Sequence, residues 1–289
     1  MANSTQPMRD KICLVTGATS GIGQVAARAL AEQGARVIIV GRNQAKCSAT
    51  VSQIQQQTGN PAVEYLLADL SSQSAVRQLA EQFKSRYRQL HVLVNNAGAI
   101  FLQRQVTVDG IEMTFGLNHL SCFLLTHLLL DIIQTSAPAR IVNVASRSHE
   151  RARINFDDLQ GTLHYNGMWA YGQSKLGNVM FTYELARRLA GTHVTVNALH
   201  PGLVGTNFAA NNGSLVRFAM RLYRFFALSP EQGARTSIYL ATCPEVDSIT
   251  GKYFVDRRAV PSSPLSYDTA VAGRLWQVSA EMTRCKRAL

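Results

Sequence analysis

Tyr171 and Lys175 stand four positions apart in Trp169-Ala170-Tyr171-Gly172-Gln173-Ser174-Lys175, a separation that puts both side chains on one face of a helix. A phenol is a poor base at neutral pH, and a nearby ammonium lowers its pKa by favouring the phenolate. Such a pair can pass a proton to or from an oxygen while a hydride moves at the attached carbon. The spacing alone is common by chance, so neighbouring groups decide its weight. Ser146 ends the apolar run Ile141-Val142-Asn143-Val144-Ala145, and its hydroxyl is placed to hydrogen-bond a substrate carbonyl oxygen. A capping role competes for Ser146, and sequence alone leaves Ser148, two residues on, open. Asn118 in Gly116-Leu117-Asn118-His119-Leu120 is an amide within an apolar stretch; it needs partners if buried. A water chain to Lys175 would meet that need, with purely structural satisfaction as the alternative. His119 and His127 read as satisfied core or surface residues.

Upstream, Thr16-Gly17-Ala18-Thr19-Ser20-Gly21-Ile22-Gly23 places three glycines between a strand and a helix. Gly17 permits the tight turn, Gly21 lets backbone approach a pyrophosphate, and Gly23 allows close packing. The free N–H groups at Thr19, Ser20 and Ile22 attract the anion. An ordinary glycine turn is the competing reading. The second strand ends Val40-Gly41-Arg42-Asn43, where a carboxylate would accept bonds from a free ribose. Arg42 suits a 2′-phosphate instead, so NADP(H) is expected over NAD(H), with exposed decoration the alternative for Arg42. Asp69-Leu70 follows the third strand, with Asp69 either accepting the adenine amino group or capping a helix. Asn96-Ala97-Gly98 follows the fourth. Four successive strand ends thus converge on one crevice.

The elements that would position these groups are short β-branched runs alternating with helix-length segments. That alternation predicts an α/β fold, a doubly wound parallel sheet of Rossmann type. Strands are expected at 12–16, 36–40, 63–68, 92–94, 140–144 and 194–199, with an edge strand at 253–255. Helices are expected at 22–33, 44–58, 73–87, 110–133, 171–189, 214–226, 230–242 and 267–282. No linker or low-complexity run divides the chain, so its 289 residues are read as one domain.

The net charge of +11 comes from 29 Lys and Arg against 18 Asp and Glu. The arginines are spread along the chain rather than clustered with aromatics, which argues against a nucleic-acid groove. Five widely spaced cysteines without metal-ligand spacing imply reduced thiols, a cytoplasmic setting and no metal site. Residues 1–10 carry neither a signal sequence nor an apolar anchor. The apolar stretch 117–133 is interrupted by Asn118, His119, Thr126 and His127, which favours a buried helix over a membrane span. No Gly-x-Ser-x-Gly elbow is present, so acyl-enzyme chemistry is not expected.

With TGATSGIG, NNAG, Asn118, Ser146, YGQSK and His200-Pro201-Gly202 in this order, the chain resembles the short-chain dehydrogenase/reductase family over nearly its whole length. The 25 positions from Ser146 to Tyr171, the SKLGN and HPGLVGT runs and Arg274-Leu275-Trp276 are similar to its retinol dehydrogenase branch. The resemblance implies a catalytic tetrad of Asn118, Ser146, Tyr171 and Lys175. It also implies cofactor contacts from Pro201, Gly202, Val204 and Thr206, and a homodimer through the two long helices. Arg42 matches the branch's NADP preference. Ala145 replaces a frequent serine, Ser121-Cys122 replaces a usual Gly-His, and the membrane anchor of many relatives has no counterpart in residues 1–10.

Between Thr206 and Pro230, Leu215, Phe218, Leu222 and Phe225 recur at helical spacing opposite Arg217, Arg221 and Arg224. This helix is expected to lid a lipophilic pocket within a segment 203–230, with peripheral membrane contact or plain packing as alternatives. Phe208, Met168 and Trp169 would complete the wall, and the substrate would be a small-molecule carbonyl or alcohol such as a retinal-like or long-chain aldehyde or ketone. A non-catalytic nucleotide sensor on the same fold is the second class of function, and the Tyr171/Lys175 pair weighs against it.

Overall fold

The strands form where β-branched and aliphatic residues run without a polar break, as in Ile12–Thr16 (β1) and Arg36–Gly41 (β2). A computed structural model of the protein describes residues 6–204, 208, 212–213 and 227–285. Within them the further strands are Val63–Leu67 (β3), Val92–Asn95 (β4), Ala139–Val144 (β5), Val194–His200 (β6), Tyr253–Val255 (β7) and Arg258–Val260 (β8). The sheet order is β3-β2-β1-β4-β5-β6-β7-β8, parallel throughout except for the last pair. The order reverses at β1, so a crevice opens at the carboxyl ends of β1 and β4.

Successive strand residues feed opposite cores, because side chains alternate across a sheet. Leu14, Ile38, Val40 and Ile141 face one, and Cys13, Val15, Val37, Ile39 and Val142 the other. The helices Gly21–Glu32 (α1), Gln44–Thr58 (α2) and Pro230–Thr242 (α6) cover the second core. The first lies under Gln73–Arg86 (α3), Met113–Thr135 (α4) and Gly167–Arg188 (α5), and Thr269–Met282 (α7) packs outside α5. The doubly wound parallel sheet is therefore as expected.

Three boundaries differ from the periodicity, each for a capping reason. α4 begins at Met113 rather than 110, because Gly110 sits in a turn (φ 75°) and the Glu112 carboxylate accepts from the N–H groups of Thr114 (2.8 Å) and Phe115 (2.7 Å). α5 begins at Gly167 rather than 171, because Asn166 caps it by accepting from Met168 (3.0 Å) and Trp169 (3.1 Å). α7 begins at Thr269, capped by Asp268, with Tyr267 in a preceding 3₁₀ turn. The strand 253–255 is interior: it pairs with β6 and with β8, which forms the edge through a turn with Asp256 and Arg257 at positive φ. The helix expected at 214–226 lies outside the described residues. α4 is long and apolar enough to cross a membrane, yet 78% of its most apolar window is buried within the fold.

Candidate active site

The glycine turn after β1 is closed by the end of β4. Thr16 Oγ1 accepts from the N–H groups of Asn96 and Ala97, both at 3.0 Å, and donates to the Val94 carbonyl. Asn96 Nδ2 donates to the carbonyls of Thr16 (2.9 Å) and Gly17 (3.2 Å). Gly17 holds φ 63°, and a Cβ there would stand 2.8 Å from Ala97 Cα; one at Gly23 would stand 2.5 Å from Asn96 Nδ2. Gly21 also holds positive φ. Both the handedness and the space therefore require glycine.

Ser20 is extended at the start of α1, its side chain accepts no helix N–H, and no acid occupies the first turn. An anion is the complement of such a terminus. Ile22 packs with Val204 and Ala234, which places Val204 over the head of α1. Pro201 and Gly202 (φ 89°) follow the end of β6 on the same side of the sheet.

At the end of β2, Arg42 is exposed and has no hydrogen-bond or ion-pair partner among the described residues. Asn43 Oδ1 is committed to capping α2 through the Lys46 N–H. Asp69 Oδ1 accepts from the backbone and hydroxyl of Ser71 in a local turn, while Ser72 caps α3, so Asp69 is not that helix's cap. Leu70 beside it is buried. Gly41 was passed over by the sequence reading: a Cβ there would fall 2.6 Å from Thr19 Cγ2 and 2.7 Å from Cys47 Sγ. The signal was its place immediately before Arg42.

The second group of residues meets the first at Gly98. A Cβ at Gly98 would lie 3.1 Å from Asn118 Oδ1 and 3.3 Å from Lys175 Nζ. Asn118 sits in a π turn, Gly116–Leu120, inside α4, the kind of local widening that re-aims a side chain. Its Oδ1 accepts from the Ala99 N–H (2.9 Å), and its Nδ2 reaches the Ala99 carbonyl (2.9 Å) and Ser174 Oγ (3.0 Å). Its backbone carbonyl accepts from Asn178 Nδ2 at 3.0 Å. Both Nδ2 hydrogens and one lone pair of Oδ1 are thus satisfied by protein groups.

Lys175 is 3% exposed and donates to the Val144 carbonyl at 2.8 Å. Burial pulls its ammonium down to about 8. Tyr171, one turn earlier, has its ring centroid 5.7 Å from Lys175 Nζ. Desolvation pushes its phenol up to about 12, and a hydrogen bond with Ser146 acts in the opposite direction. This corrects the expectation that the ammonium sets the phenol's acidity, since burial outweighs it and Ser146 is the group that lowers it. Ser146 Oγ donates to Ser148 Oγ at 3.2 Å, and of the two serines it is Ser146 that hydrogen-bonds the Tyr171 phenol.

His119 bridges Ser279 Oγ (2.9 Å) and Asn178 Oδ1 (3.3 Å), and His127 donates from Nδ1 to the Phe123 carbonyl, so both are satisfied interior residues. Of the proposed apolar wall, Phe208 is closest to the chemistry, its ring centroid 6.0 Å from that of Tyr171. Met168 and Trp169 stand at the rim, 57% and 70% exposed, with the Arg153 guanidinium over the indole. They therefore do not close a pocket among the described residues. Thr206, Leu222 and Phe225 lie outside those residues. None of the five cysteines is disulfide-bonded.

The family model for short chain dehydrogenases matches residues 11–215. Human retinol dehydrogenase 11 is 42% identical over 282 residues, covering 98% of this chain and 88% of that protein. Human polyprenol dehydrogenase is 42% identical over 284 residues, covering 96% and 86%. Among solved structures, an uncharacterised Mycobacterium paratuberculosis protein superposes with a TM-score of 0.79 at 33% identity, over 98% of this chain and 96% of its own. The Pseudomonas aeruginosa RhlG/NADP active-site complex gives 0.68 at 28% identity, over 92% and 100%.

Proposed function

This chain belongs to the short-chain dehydrogenase family and its retinol dehydrogenase-like branch, and from that premise we propose an NADP(H)-dependent oxidoreductase acting on a lipophilic carbonyl or alcohol. The carrying observation is the convergence of Tyr171, Ser146 and Lys175 beside Gly98, on the sheet edge that also holds the glycine turn. The residues fit a dinucleotide: the head of α1 lacks an acid and a side-chain cap, and the turn before it is held tight by glycines whose Cβ atoms would strike Ala97 and Asn96. Gly17–Gly23, Asp69, Asn96–Gly98 and Val204 would hold it, and Arg42, exposed and unpaired among the described residues, is matched to a 2′-phosphate.

When bound, the nicotinamide supplies or receives the hydride. Tyr171 supplies the proton from its hydroxyl to the carbonyl oxygen in reduction and takes it back in oxidation. Ser146 donates to the same oxygen and aligns it with the phenol. Lys175, anchored on the Val144 carbonyl beside the phenol's ring, would hold the nicotinamide ribose. Phe208 beside Tyr171, and Met168 and Trp169 at the rim, present apolar surface to the substrate's tail. Retinol dehydrogenase 11 and polyprenol dehydrogenase are named for long apolar alcohols, which supports that substrate class.

The test is NADPH consumption against aldehydes and ketones of graded chain length, retinal included, for wild type and Tyr171→Phe. Turnover that rises with chain length and vanishes in the variant is expected. Cofactor binding without turnover on any of these carbonyls would overturn the proposal in favour of a nucleotide sensor.

A further inference from the structure

Ser146 contributes only if its hydroxyl is held toward Tyr171, and its backbone is gripped from two sides by buried imidazoles. His149 is fully buried, with Nδ1 2.6 Å from the Ser146 carbonyl oxygen and Nε2 3.1 Å from the Ser263 N–H. His200, 6% exposed at the end of β6, accepts from the Arg147 N–H through Nδ1 at 3.3 Å. The Ser146 carbonyl and the Arg147 N–H belong to one peptide unit, and that unit is planar and rigid. The two rings therefore hold opposite edges of the same plane, the one that leaves the Ser146 Cα.

The partners also fix the tautomers. A carbonyl only accepts, so His149 Nδ1 carries the proton, and a backbone N–H only donates, so Nε2 is bare. Arg147 N–H likewise requires a bare Nδ1 on His200. Each ring must be neutral to serve, and burial keeps both below the ordinary histidine range. Tyr253 packs edge-on against His149 at 4.8 Å, which limits rotation of the ring about its bonds.

We propose that His149 and His200 are positioning residues that clamp the Ser146–Arg147 peptide and so aim the Ser146 hydroxyl at Tyr171, with His149 tying that peptide to the segment after β8. The proposal rests on the reading of Ser146 as the serine that aligns the carbonyl. His149 then has a role at the site without touching substrate or cofactor, and the clamp's far anchor, Ser263, lies 114 positions along the chain.

Two conservative variants separate the ends of the ring. In His149→Asn the side-chain amide lies near the Nδ1 position and keeps a donor for Ser146. In His149→Gln the amide reaches the Nε2 position and keeps an acceptor for Ser263, but the Ser146 donor is lost. A positioning role predicts that His149→Gln lowers kcat by about 10–100-fold with KM for the carbonyl within about twofold, whereas His149→Asn loses less than about fivefold. Both variants should lose comparable Tm. In a Ser146→Ala background His149→Gln should cost no further kcat, because the two residues act as one unit.

Equal kcat losses in the two variants, tracking Tm, would overturn the clamp, as would an undiminished effect of His149→Gln in the Ser146→Ala background. If His149→Gln does not fold, His200→Leu enters the same cycle, since it removes the acceptor for Arg147 N–H from the other edge. Wild-type kcat in Ser146→Ala alone would instead overturn the assignment of Ser146, and the two failures are thereby distinguished.

Discussion

Lys175 Nζ lies 5.7 Å from the centre of the Tyr171 ring while its hydrogen bond goes to the Val144 carbonyl, the last of β5. The ammonium is thus anchored on the sheet beside the phenol's ring, while the hydroxyl's own hydrogen bond is with Ser146.

The phenol is the proton carrier in this scheme. Tyr171→Phe is expected to lower kcat by about 10²–10⁴-fold, the usual worth of a positioned acid or base. Cofactor affinity, followed by the quenching of protein fluorescence on NADPH addition, should change by no more than about twofold, as the variant removes only the hydroxyl.

Lys175 is a cost to the fold as well as a tool. Its pKa falls from 10.5 to about 8 on burial, so the unfolded chain binds this proton more tightly than the folded one. Below pH 8 both states are protonated and the penalty, about 3 kcal/mol, is complete; it is relieved as pH rises from 8 to 10.5. Lys175→Met removes the charge but orphans the Val144 carbonyl, at about 1 kcal/mol. Denaturant titration at pH 7 should therefore show an inactive variant more stable than wild type by about 2 kcal/mol, with the margin shrinking at pH 10.

Arg42→Ala tests the choice of cofactor. Loss of one charge-assisted contact to a 2′-phosphate is expected to weaken NADPH by about 10–100-fold and to leave NADH unchanged. Equal weakening of both would remove the proposed phosphate contact.

Acid should destabilise the protein through its buried histidines. His119, 1% exposed, is lowered from 6.5 to about 4. Above pH 6.5 both states hold it neutral; as pH falls from 6.5 towards 4 the unfolded chain gains a proton that the folded one refuses. The loss is about 2 kcal/mol at pH 5. In unfolding titrations at pH 7 and pH 5, His119→Gln should lose that much less than wild type between the two conditions.

The fold is the part of the protein most legible in its sequence. The sheet is covered on both faces, so each strand is an unbroken apolar run, and the glycine turn, Tyr171 and Lys175 declare themselves by local spacing. Helix starts were less legible, because Glu112 is an unusual cap and Asn166 sits ahead of the apolar pattern rather than at its edge. The clamp on Ser146 was invisible: His149 and His200 look like any loop and strand-end histidines, and their partners come from distant segments. Nor is the acidity of Tyr171 legible, since spacing reveals the neighbouring charge but not how much water is excluded.

The widened turn at Gly116–Leu120 holds one residue more than regular winding would. Each residue of a regular α-helix advances by about 100°. The π turn absorbs one such step, so deleting Gly116, Leu117, His119 or Leu120 would restore regular winding with Met113–Phe115 and Ser121–Thr135 little turned against each other, and would re-aim the residues left within the turn. The Asn118 amide would part from Ala99 and Ser174 even if every remaining side chain were retained. At this point the molecule can absorb many changes of residue type, whereas the loss of a single codon would unmake the site.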